Sequence, residues 1–185
     1  MNYQEQAKVN LASFCSEEEF SERKNILLHI AREFNSRDIK WCLTCSSTLF
    51  FRGITTSFHD FDILIDWTDI SEALAVVKSM NAKDLPKGDQ TLFASTLFNK
   101  YQVGNVKFDL FAEWRILNMF NFEYCYREED VEKFEIENTE IAMVSARVQY
   151  VLYSVFSPWY PRRLQQAESV QKYLSDSTNV GVLTL

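Results

Sequence analysis

Apolar positions along this chain keep helical time in some stretches and strand time in others. Phe20, Leu27, Ile30, Ala31 and Phe34 fall on one helical face. "SEEEF" in front of them forms a capping box, with Ser16 as N-cap and Glu19 three residues on. "IKWCLTC" then reads as a buried strand, and a short helix begins near Ser46 or Ser47. Residues 60–66 form a second strand. "DISEALAVVKSM" forms a helix capped by Asp69, with Glu72 three residues later. "QTLFASTLFNKYQV" and "VKFDLFAEW" flank Gly104-Asn105, a two-residue hairpin signal. If those two residues make the turn, Val103 pairs with Val106 and Lys100 stands opposite Asp109. Aromatic and acidic segments run to about residue 130, followed by the hairpin "KFEIENTEIAMV". Two helices close the chain over roughly 145–157 and 161–174, separated by "SPWYP", whose prolines cannot continue a helix. The order predicts an α+β (mixed α/β) fold with a C-terminal helical tail.

Composition narrows the classes. A chain of 185 residues with 46% hydrophobic and 15% aromatic content is expected to form one packed domain over residues 1–185. Its formal net charge of −7 argues against broad nucleic-acid binding, which needs a basic face, but allows a local basic pocket. No apolar run reaches the roughly 18 residues that span a bilayer, and "MNYQEQAKVN" lacks the pattern of a signal peptide. The expectation is a cytoplasmic protein with no membrane partner and its four cysteines reduced. Cys42 and Cys45 form a CxxC, yet a strand would turn them to opposite faces, and the remaining cysteines and histidines keep no zinc-like spacing. Buried thiols fit better.

The informative stretch is "SFHDFDILID". Asp60 and Asp62 share one face of a strand, roughly 7 Å apart, while Phe61, Ile63 and Ile65 fill the other. Asp109 occupies the same setting in "VKFDLF". An acid at a strand end is often just an exposed residue or a helix cap, and Asp66 is expected to be one. Three acids on apolar strands make an anionic cluster that suits hard divalent cations with phosphates. Lys100 opposite Asp109 would balance charge there or simply pair across the strands.

"LTCSSTLFFRG…FHDFDILID" resembles the signature of the nucleotidyltransferase superfamily with the DNA polymerase β-like fold. The feel is that of small bacterial members that modify antibiotics or belong to toxin–antitoxin pairs. The resemblance covers residues 25–112, with the hairpin and helices of 133–175 following in order. It implies a metal-dependent transfer of an NMP from an NTP to a hydroxyl of a small molecule or protein. Asp60, Asp62 and Asp109 would hold Mg²⁺ (or Mn²⁺), and Asp109 would also draw the proton from the acceptor. Cys45, Ser46 and Ser47 would meet the triphosphate at the start of the short helix, together with Arg52 and Lys100.

Cys45 stands where the family usually has glycine. The tail offers Arg147 but no lysine, and Gln165 and Gln166 follow Arg162 and Arg163 where an aspartate would be expected. The alternative reading is therefore a catalytically degenerate member that binds a nucleotide or a protein partner, its surface drawn from Tyr150, Tyr153, Phe156, Trp159 and Tyr160. The phosphatase DxD pattern fits less well, because a helix and strand precede the pair and Ile63-Leu64 follow it, and glycosyltransferases, which also carry DxD, are usually longer. For the acceptor, Glu113, Glu123, Glu128, Glu129 and Asp130 would suit a cationic, ring-containing molecule. Homodimerisation stays open.

Overall fold

The strand read at "WCLT" lies inside the sheet, between two neighbouring strands. All four of its residues are buried, as expected for a strand covered on both faces. A computed structural model describes residues 17–87, 94–115, 122–158 and 160–176, with the backbone alone at 17–20. In chain order the elements are α1 (Glu17–Ser36), β1 (Trp41–Thr44), α2 (Cys45–Phe51), β2 (Phe61–Ile65), a 3₁₀ turn (Trp67–Asp69) and α3 (Ile70–Ser79). Then come β3 (Lys83–Leu85), β4 (Phe98–Val103), β5 (Val106–Phe111), β6 (Glu113–Arg115) and β7 (Glu123–Cys125). A second 3₁₀ turn (Glu128–Asp130), β8 (Val131–Ile136), β9 (Thr139–Val144), α4 (Ala146–Phe156) and α5 (Pro161–Ser175) complete it.

Among the described residues, seven strands form one sheet in the order β3-β4-β5-β2-β1-β9-β8. β2 pairs with β5 and β1 with β9 in parallel, and the other neighbours are antiparallel. The small β6–β7 hairpin stands apart. α1 covers one face: Phe34 meets Trp41 edge-on at 5.9 Å. Trp41 is the register partner of Ile65, so Ile65, Ile63 and Phe61 share that face. Asp62 must then face the opposite side, where α4 and α5 lie. Leu49, Ala146, Tyr153, Ala167 and Val170 form a separate buried cluster joining α2 to these two helices.

The predicted β4–β5 register holds, with Val103 opposite Val106 and Lys100 opposite Asp109. Gly104 takes φ +57°, and a Cβ there would stand 2.1 Å from Glu22 Oε1. Asn105 donates its backbone N–H (2.9 Å) and its amide (3.2 Å) to the same Glu22 carboxylate, so the turn is docked on α1. Pro161 opens α5 at its first turn, where no N–H is missed.

Several expectations change. The Ser16–Glu19 cap lies outside the residues whose side chains are described, as does Trp159. Asp69 stands at the N-cap of α3 but makes no side-chain capping bond there, and its carboxylate accepts the backbone N–H of Lys40 at 2.9 Å. Asp66 does cap, accepting from Thr68 N–H at 2.9 Å. The strand expected from residue 90 begins at Phe98, with 88–93 outside the described residues. β3 and β7 had no counterpart in the sequence pattern, and the strand expected through Trp114 breaks at Ala112 into β5 and β6. Among the described residues, no helix is long and apolar enough to cross a membrane.

Candidate active site

Register builds the site. On the face opposite α1, Thr44, Asp62, Asp109 and Lys100 form one row across β1, β2, β5 and β4. Asp62 and Asp109 are direct partners in the parallel β2–β5 pair, so two carboxylates from segments 47 positions apart stand side by side. The Lys100 ammonium is hydrogen-bonded to Asp109 Oδ2 and lies 5.4 Å from the centre of the Phe98 ring.

A cavity of about 250 Å³ opens over this row. The sheet supplies Asp62, Asp109, Lys100 and Phe98, and Cys45 starts α2 at its wall. α4 and α5 close it with Tyr153, Phe156, Arg162 and Arg163. The Arg163 guanidinium stacks 5.1 Å over the Tyr153 ring and donates to Gln166 Oε1 at 2.9 Å. Lys87 also lines the cavity. Four cations therefore surround two carboxylates, a balance that favours an anionic ligand.

Burial is the main reason the Asp62 carboxyl is pushed well above the usual carboxylate range. The charges of Asp60 and Asp109 add to it, while Arg163 and Lys100 oppose. Asp109 is raised for the same first reason and is held back by Lys100. Burial and the Asp62 charge push the Cys45 thiol up, so it stays protonated and unreactive at neutral pH.

Asp60 precedes β2 and acts on Asp62 through its charge, but it is not part of the cavity lining. Among the described residues, no three His, Cys, Asp or Glu side chains converge into a ready cation cage. Two adjacent oxygen donors still suit Mg²⁺, which commonly takes one or two carboxylates and completes its shell with water and substrate phosphates.

The start of α2 departs most from expectation. Cys45 takes φ +57°, in the left-handed region where a side chain costs roughly 1–2 kcal/mol. Its N–H is already bonded, donating to Gln149 Oε1 at 2.8 Å. Gln149 Oε1 also accepts from Thr48 Oγ1 at 3.2 Å, and Gln149 is fully buried. Ser47 is buried and donates to Thr44 O at 3.0 Å, while Ser46 is half-buried; neither lines the cavity.

Arg52 is turned elsewhere. Its guanidinium donates to Val144 O (2.5 Å), Glu132 Oε2 (2.8 Å) and Thr48 O (3.4 Å), and its side chain has no exposed surface. Its role as a phosphate partner is corrected to that of a buried tie between α2 and the β8–β9 hairpin. Glu113, Glu123, Glu128, Glu129 and Asp130 are not among the residues lining the cavity, and three of them are engaged elsewhere. Glu113 accepts from Thr96 (2.8 and 2.6 Å), Glu123 pairs with Arg115 (3.2 Å) and Glu128 with Lys133 (3.4 Å).

Gln149 had a signal in the sequence that went unread. It interrupts the apolar stripe Gln149, Leu152, Tyr153, Phe156 on α4, and a buried polar group there needs a partner. A second cavity, of about 300 Å³, lies between α1 and β8. Its Lys133 bridges Glu128 and Glu140, so the charges at its wall compensate one another.

No protein-family model matches the sequence, and no curated protein matches it. Solved structures do match in fold. A protein from Thermotoga maritima assigned as a nucleotidyltransferase superposes with a TM-score of 0.62 at 17% identity, covering 84% of this chain and 94% of that one. The chain has the nucleotidyltransferase fold. ANT(2″)-Ia in complex with adenylyl-2″-tobramycin gives 0.57 at 10% identity, covering 84% and 91% of the two chains. The lincosamide antibiotic adenylyltransferase LnuA, bound to lincomycin, gives 0.53 at 11% identity, covering 86% and 98%. At these identities the likeness is one of architecture.

Proposed function

We propose that the protein is a metal-dependent nucleotidyltransferase that moves an NMP from an NTP to an acceptor hydroxyl. The observation that carries this is the in-register pair Asp62–Asp109 facing a cavity edged by Lys100, Arg162 and Arg163. Asp62 and Asp109 would hold Mg²⁺ or Mn²⁺, with Asp60 in support from the strand's edge. The ion would neutralise charge on the phosphate oxygens during in-line displacement. Lys100, Arg162 and Arg163 orient the triphosphate, with the guanidiniums suited to paired contacts with its oxygens. Phe98, Phe156 and Tyr160 give the cavity apolar surface for a ring. Asp109 would accept the proton of the attacking hydroxyl once Lys100 no longer holds its Oδ2.

ANT(2″)-Ia and LnuA have antibiotic products or ligands in their structures, which makes a small-molecule acceptor the working class. The four cations at the cavity weigh against a polycationic acceptor sharing that space.

A second reading has its own observation. The Cys45 N–H, which opens the short helix expected to meet phosphate, is occupied by Gln149. A chain built this way fits a nucleotide-binding or protein-interaction module that no longer transfers.

Calorimetric titration of mixed NTPs with Mg²⁺ or Mn²⁺, on wild type and Asp62→Asn, tests the proposal. Metal-dependent binding abolished by the substitution is the expected result. It would be followed by a screen of hydroxyl acceptors with α-labelled NTP. Binding indifferent to the substitution would remove the carboxylates as the metal site. No binding to folded wild-type protein would favour the second reading.

A further inference from the structure

The ion pair at the centre of the site is fixed by backbone pairing rather than by a loose surface arm. Lys100 and Asp109 are register partners on β4 and β5, and their side chains are only 28% and 8% exposed. Asp62 adjoins the pair, and the charges of Asp60 and Asp109 both bear on it. Carboxylates crowded together in a partly desolvated site need either a proton or a positive charge beside them. The cations that bear on Asp62 are Arg163 and Lys100, and Lys100 is bonded to Asp109.

An ammonium and a divalent ion compete for that position. Both need the lone pairs of Asp109, and their charges repel at contact distance. Lysine is the residue suited to giving way. Its ammonium rides on a flexible four-carbon stem, and Lys100 already lines the cavity where a triphosphate would lie. By contrast, Arg163 is stacked on Tyr153 and tied to Gln166.

We propose that Lys100 is an exchangeable counter-ion. It holds Asp109 in the ligand-free protein, and a divalent ion takes its place only as a triphosphate draws the ammonium away. This rests on the nucleotidyltransferase reading and adds a binding order to it: metal and NTP each bind weakly alone and strengthen one another. By linkage the strengthening is reciprocal.

The test is a Mn²⁺ titration of the full chain, with free Mn²⁺ followed by electron paramagnetic resonance. It is run with and without a non-hydrolysable ATP analogue, at mildly alkaline pH. Lys100→Met and Lys100→Gln are expected to bind Mn²⁺ about tenfold more tightly than wild type without the analogue, a coupling of ordinary allosteric size. Lys100→Arg keeps the charge and should bind no more tightly than wild type. The analogue should strengthen Mn²⁺ binding in wild type far more than in Lys100→Met. Thermal melting identifies any variant that fails to fold, and the remaining neutral variant decides. If Lys100→Met and Lys100→Gln fold yet bind Mn²⁺ no better than wild type, while Asp62→Asn abolishes binding, the exchange is overturned and the metal site stands. If no folded form binds Mn²⁺ with or without the analogue, exchange and metal site fall together.

Discussion

Two walls of one cavity are built on opposite principles. At the start of α2, most polar groups are bonded from within: Gln149 takes the Cys45 N–H, Thr44 O takes Ser47, and Arg52 binds Val144 and Glu132, with Arg52 Nε and Gln149 Nε2 left over as buried atoms without a partner. At the β2–β5 row, Asp62 and Asp109 are held side by side, with their charge only partly answered by Lys100 and Arg163. The first wall follows the usual rule that buried polar groups find partners. The second sets like charges side by side at an electrostatic cost, and such local costs concentrate where a protein meets a ligand. Functional weight therefore shifts from the residues of the short helix to the carboxylate row and the α5 arginines.

The contrast can be broken first at Arg52. If it is a structural tie, Arg52→Met strips the charge partner from Glu132 and leaves Val144 O without that donor. Breaking a buried pair costs about 3–5 kcal/mol, and the partial exposure of Glu132 places this one near 3. Chemical denaturation should show that loss, with NTP affinity of the folded fraction unchanged. A stable variant with lost NTP affinity would return Arg52 to the phosphate site.

Gln149 gives the next effect. Gln149→Leu keeps the volume but removes the acceptor for the nearly buried Cys45 N–H, while Thr48 Oγ1 keeps Cys45 O at 2.7 Å. Unsatisfied buried groups cost about 1–3 kcal/mol. Gln149 Nε2 is itself buried without a partner, so its removal offsets part of the loss. A net destabilisation of roughly 1–2 kcal/mol follows, read from the denaturation midpoint. A gain in NTP affinity in the same variant would show that the α2 N–H is a phosphate donor held capped, and the two walls would no longer differ.

What the sequence made legible was local or fixed by a turn. The Gly104-Asn105 hairpin has only one register that buries Val106, Phe108 and Leu110, so Lys100 could be set opposite Asp109 in advance. The alternation of Asp62 with Phe61 and Ile63 gave its face the same way. The parallel pairing that brings Asp62 beside Asp109 is set by crossovers no turn residue announces. Partners from distant segments also overrode local rules. Lys40 N–H draws off the cap expected of Asp69, and Val144 O and Glu132 draw Arg52 away from phosphate. β3 and β7 are three residues each, too short to show a period. Cys45 was conspicuous as a non-glycine, and its φ of +57° supplies a backbone reason beyond room for phosphate.

The finest probe of the contrast is the stability of the ligand-free protein. Burial, followed by neighbouring carboxylates, raises Asp62 in the folded state. A carboxyl raised on folding binds more protons folded than unfolded. Its stabilising share is therefore complete below the unfolded pKa and lost as pH climbs through the folded one. Asp62→Asn cannot ionise, so it should lack this decline and exceed wild type at neutral pH by about 1 kcal/mol, or roughly 2–4 °C in Tm. At acidic pH the two should converge. Thermal melts across pH, with a chelator present, measure the difference directly and cancel the groups common to both. Mg²⁺ with NTP should close the gap from the other side, stabilising wild type but not the variant. Parallel profiles for the two proteins would mean that the carboxylate row is as satisfied as the α2 wall, and that nothing in the fold is waiting for a cation.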